Sequence, residues 1–188
     1  MAVGPGIGID NDDWQKSKEF LIDFKGLLIL DADALNRISE SKLGSKFFLE
    51  RKFKTWITPH SKEFLRLFPN IRCQTNVGRA LIAAKEYNIS VLLKGANSIV
   101  ADNKKAWQLF GTDSQTARAG LGDLLSGFVA GSSAMDSTIC KNITTDFFAK
   151  YVLLHSFAAS MCKRGSNASA IGDELSIIMR NRKMREIS

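Results

Sequence analysis

Short apolar runs alternate with longer amphipathic segments along the chain, and this alternation predicts strands separated by helices. The apolar runs at residues 27–30, 55–58 and 89–93 are short and continuous, and polar residues follow each of them directly. Such runs are typical of strands that are buried on both faces of a parallel sheet. Residues 35–53 and 77–87 between them have helical character. The order of elements favours an α/β protein that binds its ligands at the carboxyl ends of the strands.

Later segments extend the same pattern. The apolar run at 99–101, the polar turn at 102–105 and the run at 107–110 predict a β-hairpin. Ser61 is the predicted cap of a helix that follows the second strand, and Asn88 is the predicted end of the helix over 77–87. Helices are also expected over 147–162 and 174–179, with His155 as a hydrogen-bonded core side chain on an apolar face.

Polar side chains follow three of the predicted strands. Asp31 and Asp33 follow the first, His60 follows the second and Lys94 follows the third. Three such ends indicate a binding crevice at one edge of the sheet. Each residue also has a structural interpretation: the two aspartates as turn or cap residues, His60 as a helix cap and Lys94 as an exposed lysine.

A glycine-rich turn at residues 119–127 leads into an apolar helix and places one carboxylate, Asp123, at its start. Unpaired N–H groups at a helix start attract phosphate, and Gly120 and Gly122 let the phosphate approach the backbone closely. Asp123 is then a candidate base beside the bound anion. The alternative is that Asp123 only caps the helix.

Composition narrows the classes of protein. A chain of 188 residues with 45% hydrophobic content has the size of one domain with a substantial core. The net charge of +7 comes from dispersed basic residues and a terminal cluster (Arg180, Arg182, Lys183, Arg185), which is interpreted as a solvated tail and not as a specific nucleic-acid site. Three cysteines without metal-site spacing indicate a reducing cytoplasm, and the absence of a long apolar run predicts no membrane contact.

Five motifs occur in order, at residues 4–8, 30–36, 58–64, 93–96 and 120–127. Together they resemble the ADP/ATP-dependent NAD(P)H-hydrate dehydratases. This family is a branch of the ribokinase-like fold, and its members repair hydrated NADH and NADPH. The resemblance implies a three-layer α/β/α fold with a mostly parallel central sheet. It implies one partial domain over residues 1–188, without the N-terminal part of the usual domain.

The resemblance also implies roles for individual residues and for cofactors. Gly6, Gly8, His60 and Asp123 would bind the hydrated dinucleotide, with Asp123 as the catalytic base. ADP or ATP would be the co-substrate, with Mg²⁺ brought by the nucleotide. The nucleotide would be bound by Lys94, Gly95, Ala96, Asn97, Ser98, Gly120 and Gly122.

Two departures from the family pattern leave other functions open. Leu121 replaces a usual threonine, and Ala119 stands where glycine is common. The first Gly-Pro-Gly element begins at residue 4, whereas in the family it lies well inside the domain. The alternatives are a ribokinase-like kinase of a vitamin precursor and an inactive, truncated nucleotide-binding module. We expect a cytoplasmic homo-oligomer, with a separately encoded N-terminal piece as a further partner.

Overall fold

The structure is a computed structural model that describes residues 1–8, 14–110, 120–163 and 165–187, with side chains described as far as residue 181. It divides into two compact units, the first over residues 1–110 and the second over residues 111–188. The prediction of a single domain stays a prediction. Ala119 and the side chains of Arg182, Lys183 and Arg185 lie outside the described part.

The first unit is built on a six-stranded sheet in which strand order follows chain order. The first four strands pair in parallel, and the last two are added in antiparallel fashion as a hairpin. Both the parallel sheet and the hairpin were predicted from the apolar runs and are confirmed. The strands are β1 (Ala2–Val3), β2 (Leu28–Leu30), β3 (Thr55–Ile57), β4 (Ser90–Leu93), β5 (Ile99–Ala101) and β6 (Ala106–Gln108).

Helices connect the parallel strands and cover the sheet. The described helices of the first unit are α1 (Trp14–Asp23), α2 (Ala32–Glu40), α3 (Phe47–Glu50), α4 (Ser61–Leu67) and α5 (Asn76–Tyr87), with a 3₁₀ turn over Gly44–Lys46. Strands β2 to β5 are fully buried. Helix α5 ends at Asn88, which adopts the left-handed conformation with φ of 51°, as predicted.

The predicted continuous helix over residues 35–53 is wrong. Helix α2 stops at Glu40, and the amide of Ser41 donates to the carbonyls of Arg37 and Ile38, which closes the last turn. Gly44 then takes a left-handed φ of 51°, a conformation that glycine adopts without steric cost. The chain therefore turns at residues 41–46 before the short helix α3 begins.

The second unit is helical in its described part, with α6 (Leu121–Ser137), α7 (Thr145–Met161) and α8 (Ala168–Ile187). Ala158 and Ala159 of α7 pack against Ile171 and Leu175 of α8. The helices predicted over 147–162 and 174–179 are both present and longer than expected. Within the described residues, no helix combines the length and apolar composition needed to cross a membrane.

The expectation that His155 is a hydrogen-bonded core side chain of this unit is confirmed only in part. The side chain is buried, as predicted, yet its Nε2 atom has no hydrogen-bond partner among the described residues. Burial lowers the pKa of His155 from 6.5 to about 4, because the protonated, charged ring would be kept away from water in the protein interior. His155 is therefore a neutral histidine with a buried Nε2 that lacks a partner among the described residues.

Candidate active site

The carboxyl ends of the parallel strands bring several predicted residues to one edge of the sheet. Asp31 follows β2, His60 follows β3 and Lys94 follows β4. The amide of Lys94 donates to the carbonyl of Pro59 at 2.9 Å, and His60 and Lys94 form a parallel bridge beyond the named strands. Gly4 follows β1 and lies against the backbone of Asp31. We call Gly4, Asp31, His60 and Lys94 the strand-end edge.

Asp31 and Lys94 form an ion pair at this edge. Nζ of Lys94 donates to Oδ1 of Asp31 at 2.8 Å, and the same oxygen accepts from the amide of Ala32 at 2.9 Å. Asp31 is 2% exposed, and the side chain of Lys94 is 25% exposed. The cap role predicted for Asp31 is confirmed. The pairing with Lys94 was not predicted, because no sequence pattern relates two residues 63 positions apart.

His60 is the cap of α4, which confirms the structural interpretation of His60 and corrects the prediction that Ser61 has this role. Its Nδ1 atom accepts from the amides of Lys62 at 3.1 Å and Glu63 at 3.3 Å. Oε2 of Glu63 accepts in return from the amide of His60 at 2.8 Å, which completes a capping box. Histidine is not a usual cap residue, but a glutamate three positions after it was a signal that the sequence contained.

Gly4 is required at its position by both space and backbone geometry. Its φ is +138°, and a Cβ atom added there would lie 1.7 Å from the carbonyl oxygen of Asp31. Gly6 follows with a φ of +69° and open space around it. A ligand can approach Gly6 closely, whereas Gly4 serves the contact between β1 and the turn after β2.

Gly8 is fixed by two charged residues of α2. Its amide donates to Oδ2 of Asp33 at 3.0 Å, and its carbonyl accepts from Nε of Arg37. The buried guanidinium of Arg37 also lies 5.4 Å from the ring centroid of Trp14, a cation–π distance. Arg37 was missed at the sequence level, because nothing in a charged helix marks which residue turns toward a glycine loop.

The connection from β4 to β5 holds the remaining predicted nucleotide-binding residues of this unit. The amide of Gly95 donates to Oγ of Ser98 at 3.4 Å, and the Ser98 hydroxyl bonds to the carbonyl of Gly95 at 3.2 Å. Ala96 and Asn97 are exposed at the tip of this turn. The structure thus presents residues 95–97 to solvent next to Lys94.

The start of α6 carries the candidate base. Gly120 precedes the helix with a φ of +81° and has no side chain to cap it. Gly122 lies in the first turn, and the carboxylate of Asp123 is exposed there. Backbone N–H groups at such a start lack helical partners and carry the positive end of the helix dipole. The arrangement fits a phosphate group beside a carboxylate.

Asp123 also borders an apolar cavity of about 540 Å³ between α6 and α8. Leu124 and Phe128 of α6 and Leu175 of α8 are among the residues that line it. No group of three or more His, Cys, Asp or Glu side chains that could hold a metal ion occurs among the described residues. A Mg²⁺ ion that accompanies a nucleotide takes much of its coordination from phosphate oxygens and water.

Comparison with known sequences shows which protein family this chain resembles. A family model described as NAD(P)H-hydrate dehydratase matches residues 1–177. The bifunctional NAD(P)H-hydrate repair enzyme Nnr of Synechocystis is 35% identical over 132 residues, which cover 70% of this chain and 24% of that protein. The Methanopyrus kandleri protein of the same name is 33% identical over 144 residues, 71% of this chain and 26% of that protein. The chain thus spans about a quarter of these curated relatives.

Comparison with solved structures confirms the predicted ribokinase-like fold. A ribokinase-like superfamily protein from Enterococcus faecalis has a TM-score of 0.79 at 23% identity, over 96% of this chain and 62% of that one. The ADP/ATP-dependent NAD(P)H-hydrate dehydratase from Bacillus subtilis, co-crystallised with ATP and Mg²⁺, has a TM-score of 0.72 at 21% identity. That match covers 96% of this chain and 63% of the other.

Proposed function

The chain belongs to the NAD(P)H-hydrate dehydratase family, and from this premise we propose that it converts hydrated NADH or NADPH back to the reduced dinucleotide, using ADP or ATP. One observation carries the proposal beyond family membership. Asp123 presents an exposed carboxylate in the first turn of an α6 helix whose cap residue, Gly120, has no side chain. A base beside an anion-binding helix start is the arrangement that phosphoryl transfer to a hydroxyl requires.

The proposed chemistry has two steps, and Asp123 acts in the first. Asp123 takes the proton of the substrate hydroxyl, whose oxygen attacks the terminal phosphorus of the nucleotide. The new O–P bond forms as the bond to the departing nucleotide oxygen breaks. Hydroxide is a poor leaving group, whereas phosphate leaves readily from the resulting ester as the ring C–O bond breaks and its electron pair goes to the phosphate oxygen. The ring nitrogen supplies electrons, a ring proton is lost, and the dihydronicotinamide double bond is restored.

Phosphate binding is assigned to the start of α6. The first N–H groups of α6, around Gly120 and Gly122, lack partners within the helix and would hold phosphate oxygens, and the absence of a Cβ atom at both positions allows close approach. Mg²⁺ bound to the nucleotide would neutralise phosphate charge during transfer. The chain's own contribution is to position the reacting groups and to stabilise the charge that develops.

The remaining assignments concern the first unit. Gly6, Gly8 and His60 are proposed to contact the hydrated dinucleotide, and the residues from Lys94 to Ser98 to contact the adenine nucleotide. Lys94 supports this assignment because its ammonium is held in place by Asp31 while a quarter of the side chain remains exposed. An ammonium fixed in this way can meet a phosphate without first losing the freedom of a surface side chain.

Location and partners are also proposals. Cytoplasmic location is supported by three free cysteines. A homo-oligomer is supported by an apolar stripe on α7, where Leu153, Phe157 and Met161 are each about half exposed. Packing of a further polypeptide segment against β1 is supported by an apolar cavity of about 510 Å³, lined in part by Val3 and Phe20, beside this two-residue strand.

The assay for this function mixes the purified chain with hydrated NADH, Mg²⁺ and either ADP or ATP. The proposal predicts recovery of the absorbance of reduced nicotinamide only when nucleotide is present. Nucleotide consumption with a vitamin alcohol, and none with the hydrate, would instead favour the small-molecule kinase. Nucleotide binding without consumption of either compound would favour the inactive module.

A further inference from the structure

The capping box of α4 fixes the start of the helix and also the tautomer of a histidine, because one of its two side chains is the imidazole of His60. Nδ1 of His60 accepts two backbone N–H groups, those of Lys62 and Glu63. A nitrogen that accepts hydrogen bonds through its lone pair carries no proton. Neutral His60 therefore holds its proton on Nε2.

Glu63 reinforces this arrangement from the other side of the ring. Its Oε1 atom lies 3.4 Å from Nε2 of His60, and its Oε2 atom accepts the amide of His60. The carboxylate attracts a proton on Nε2 and ties the ring to the first turn of α4. Glu63 itself is buried, with 7% of its side chain exposed, whereas 47% of the His60 side chain is exposed. A fixed carboxylate thus orients an accessible ring.

We propose that Glu63 is the positioning residue of His60 and that the ring, held as an Nε2–H donor, binds an acceptor oxygen of the hydrated dinucleotide. This inference rests on the proposed function for the identity of the substrate. It adds the direction of the hydrogen bond, from protein to ligand. A group of the ligand that can only donate would find no acceptor at Nε2 in this tautomer.

The tautomer is measured in the free protein by ¹⁵N NMR of the imidazole nitrogens. The chain has two histidines, so a His155→Leu variant assigns the signals. We expect a protonated Nε2 and an unprotonated Nδ1 for the neutral ring of His60. A proton found on Nδ1 would overturn the proposal, and this outcome does not depend on any activity of the protein.

The positioning role is measured by a double-mutant cycle on binding. Asparagine is a strong cap residue, so His60→Asn preserves the start of α4 and removes the ring donor. We expect Glu63→Ala and His60→Asn each to raise the Kd for hydrated NADH about 10-fold, the scale of one hydrogen bond. The double variant should bind within about twofold of His60→Asn, because Glu63 acts through the ring.

A purely structural role for Glu63 gives a different result. Glu63→Ala would then lower the melting temperature and weaken binding by the same factor in both backgrounds, for a combined loss of about 100-fold. Glu63→Gln keeps an oxygen that accepts the amide of His60 but places an NH₂ donor where Oε1 faced Nε2 of His60. It should therefore keep the melting temperature while the Kd stays raised as in Glu63→Ala. A Kd restored to that of the unmodified chain would contradict the role assigned to Oε1.

Calorimetry with hydrated NADH provides the binding constants, so the cycle does not require turnover. If the unmodified chain binds no hydrate, the proposed function fails, and the assigned contact with substrate fails with it. The ring nitrogen signals then show whether the tautomer was correct. If the hydrate binds and the two variants act independently, the positioning proposal alone is overturned.

Discussion

The strand-end edge of the first unit and the start of α6 in the second differ in how fully their polar groups are paired. Asp31, His60 and Lys94 all take part in hydrogen bonds or ion pairs with neighbouring elements. At the start of α6, Gly120 offers no cap, and Asp123 makes no hydrogen bond among the described residues. The first arrangement suits groups that hold a ligand in one geometry. The second suits a carboxylate that must accept a proton.

The largest expected effect comes from removing the exposed carboxylate of Asp123. Asp123→Asn should reduce hydrate dehydration about 1000-fold, the usual scale for loss of a general base, and leave the melting temperature unchanged. Asp173→Asn is the matched control, since Asp173 is also an exposed carboxylate of the second unit, on α8. Equal losses of activity in the two variants would contradict the role of Asp123.

Replacing a glycine in each of the two regions should lower the free energy of unfolding by different amounts. Gly4→Ala forces a Cβ atom to within 1.7 Å of the Asp31 carbonyl at a φ of +138°, so we expect a loss of about 3 kcal/mol or more. Among the described residues, the Cβ atom of Gly120→Ala meets only the Cβ atom of Ala168 at 3.6 Å, at a φ of +81°. Its cost should be about 1 kcal/mol, from backbone strain alone.

Urea unfolding of both variants measures this difference. A rigid strand-end edge predicts that Gly4→Ala shifts the unfolding midpoint much further than Gly120→Ala. Similar midpoints would mean that the edge relaxes around the added atom, and that its groups are less fixed than their hydrogen bonds indicate.

The stability of the protein should depend on pH through His155, the buried histidine of α7. The pKa of His155 is lowered to about 4 in the folded chain, against 6.5 for the unfolded one. The unfolded chain therefore binds a proton first as the pH falls. Stability should decline below about pH 6.5, by about 2 kcal/mol near pH 5, and the decline from this group should level off below about pH 4.

The variant His155→Leu should remove this part of the pH dependence and keep or raise stability at neutral pH, because the buried Nε2 has no partner among the described residues. Denaturant unfolding of both proteins between pH 5 and 7 measures it. An unchanged pH dependence in the variant would show that the decline comes from other groups.

The smallest effect concerns the ion pair of the strand-end edge. Asp31→Asn keeps an oxygen that caps Ala32 but removes the charge opposite Lys94, for a loss of about 1.5 kcal/mol. Asp102→Asn is the control, since within the described residues Asp102 accepts backbone amides alone, in the turn before β6. The loss for Asp31→Asn should shrink as salt rises. A loss of equal size for Asp102→Asn would mean that the ion pair contributes little.

Local signals predicted much of the fold. Asn88 was a correct helix end because its side chain tolerates the left-handed conformation, and the hairpin over 99–108 followed from a polar turn between apolar runs. The continuous helix over 35–53 was wrong because Gly44 turns the chain. Helical spacing alone does not show that a glycine interrupts a charged segment.

The residues of the strand-end edge were predictable from the sequence, whereas the contacts among them were much less so. Strand ends indicated Asp31, His60 and Lys94, but the pairing of Asp31 with Lys94 depends on strand order in the sheet. The buried guanidinium of Arg51, which donates to the carbonyls of Phe24 and Gly26, was not identified either. Such bonds satisfy loop carbonyls that become neighbours only after folding.

The most direct test of the central claim is the stoichiometry of the reaction. Reduced nicotinamide restored from hydrated NADH and phosphate released from the nucleotide should be measured in the same sample. The account predicts one phosphate for each dinucleotide restored, with both products lost in Asp123→Asn. Phosphate release without recovery of reduced nicotinamide, or recovery without nucleotide, would contradict it.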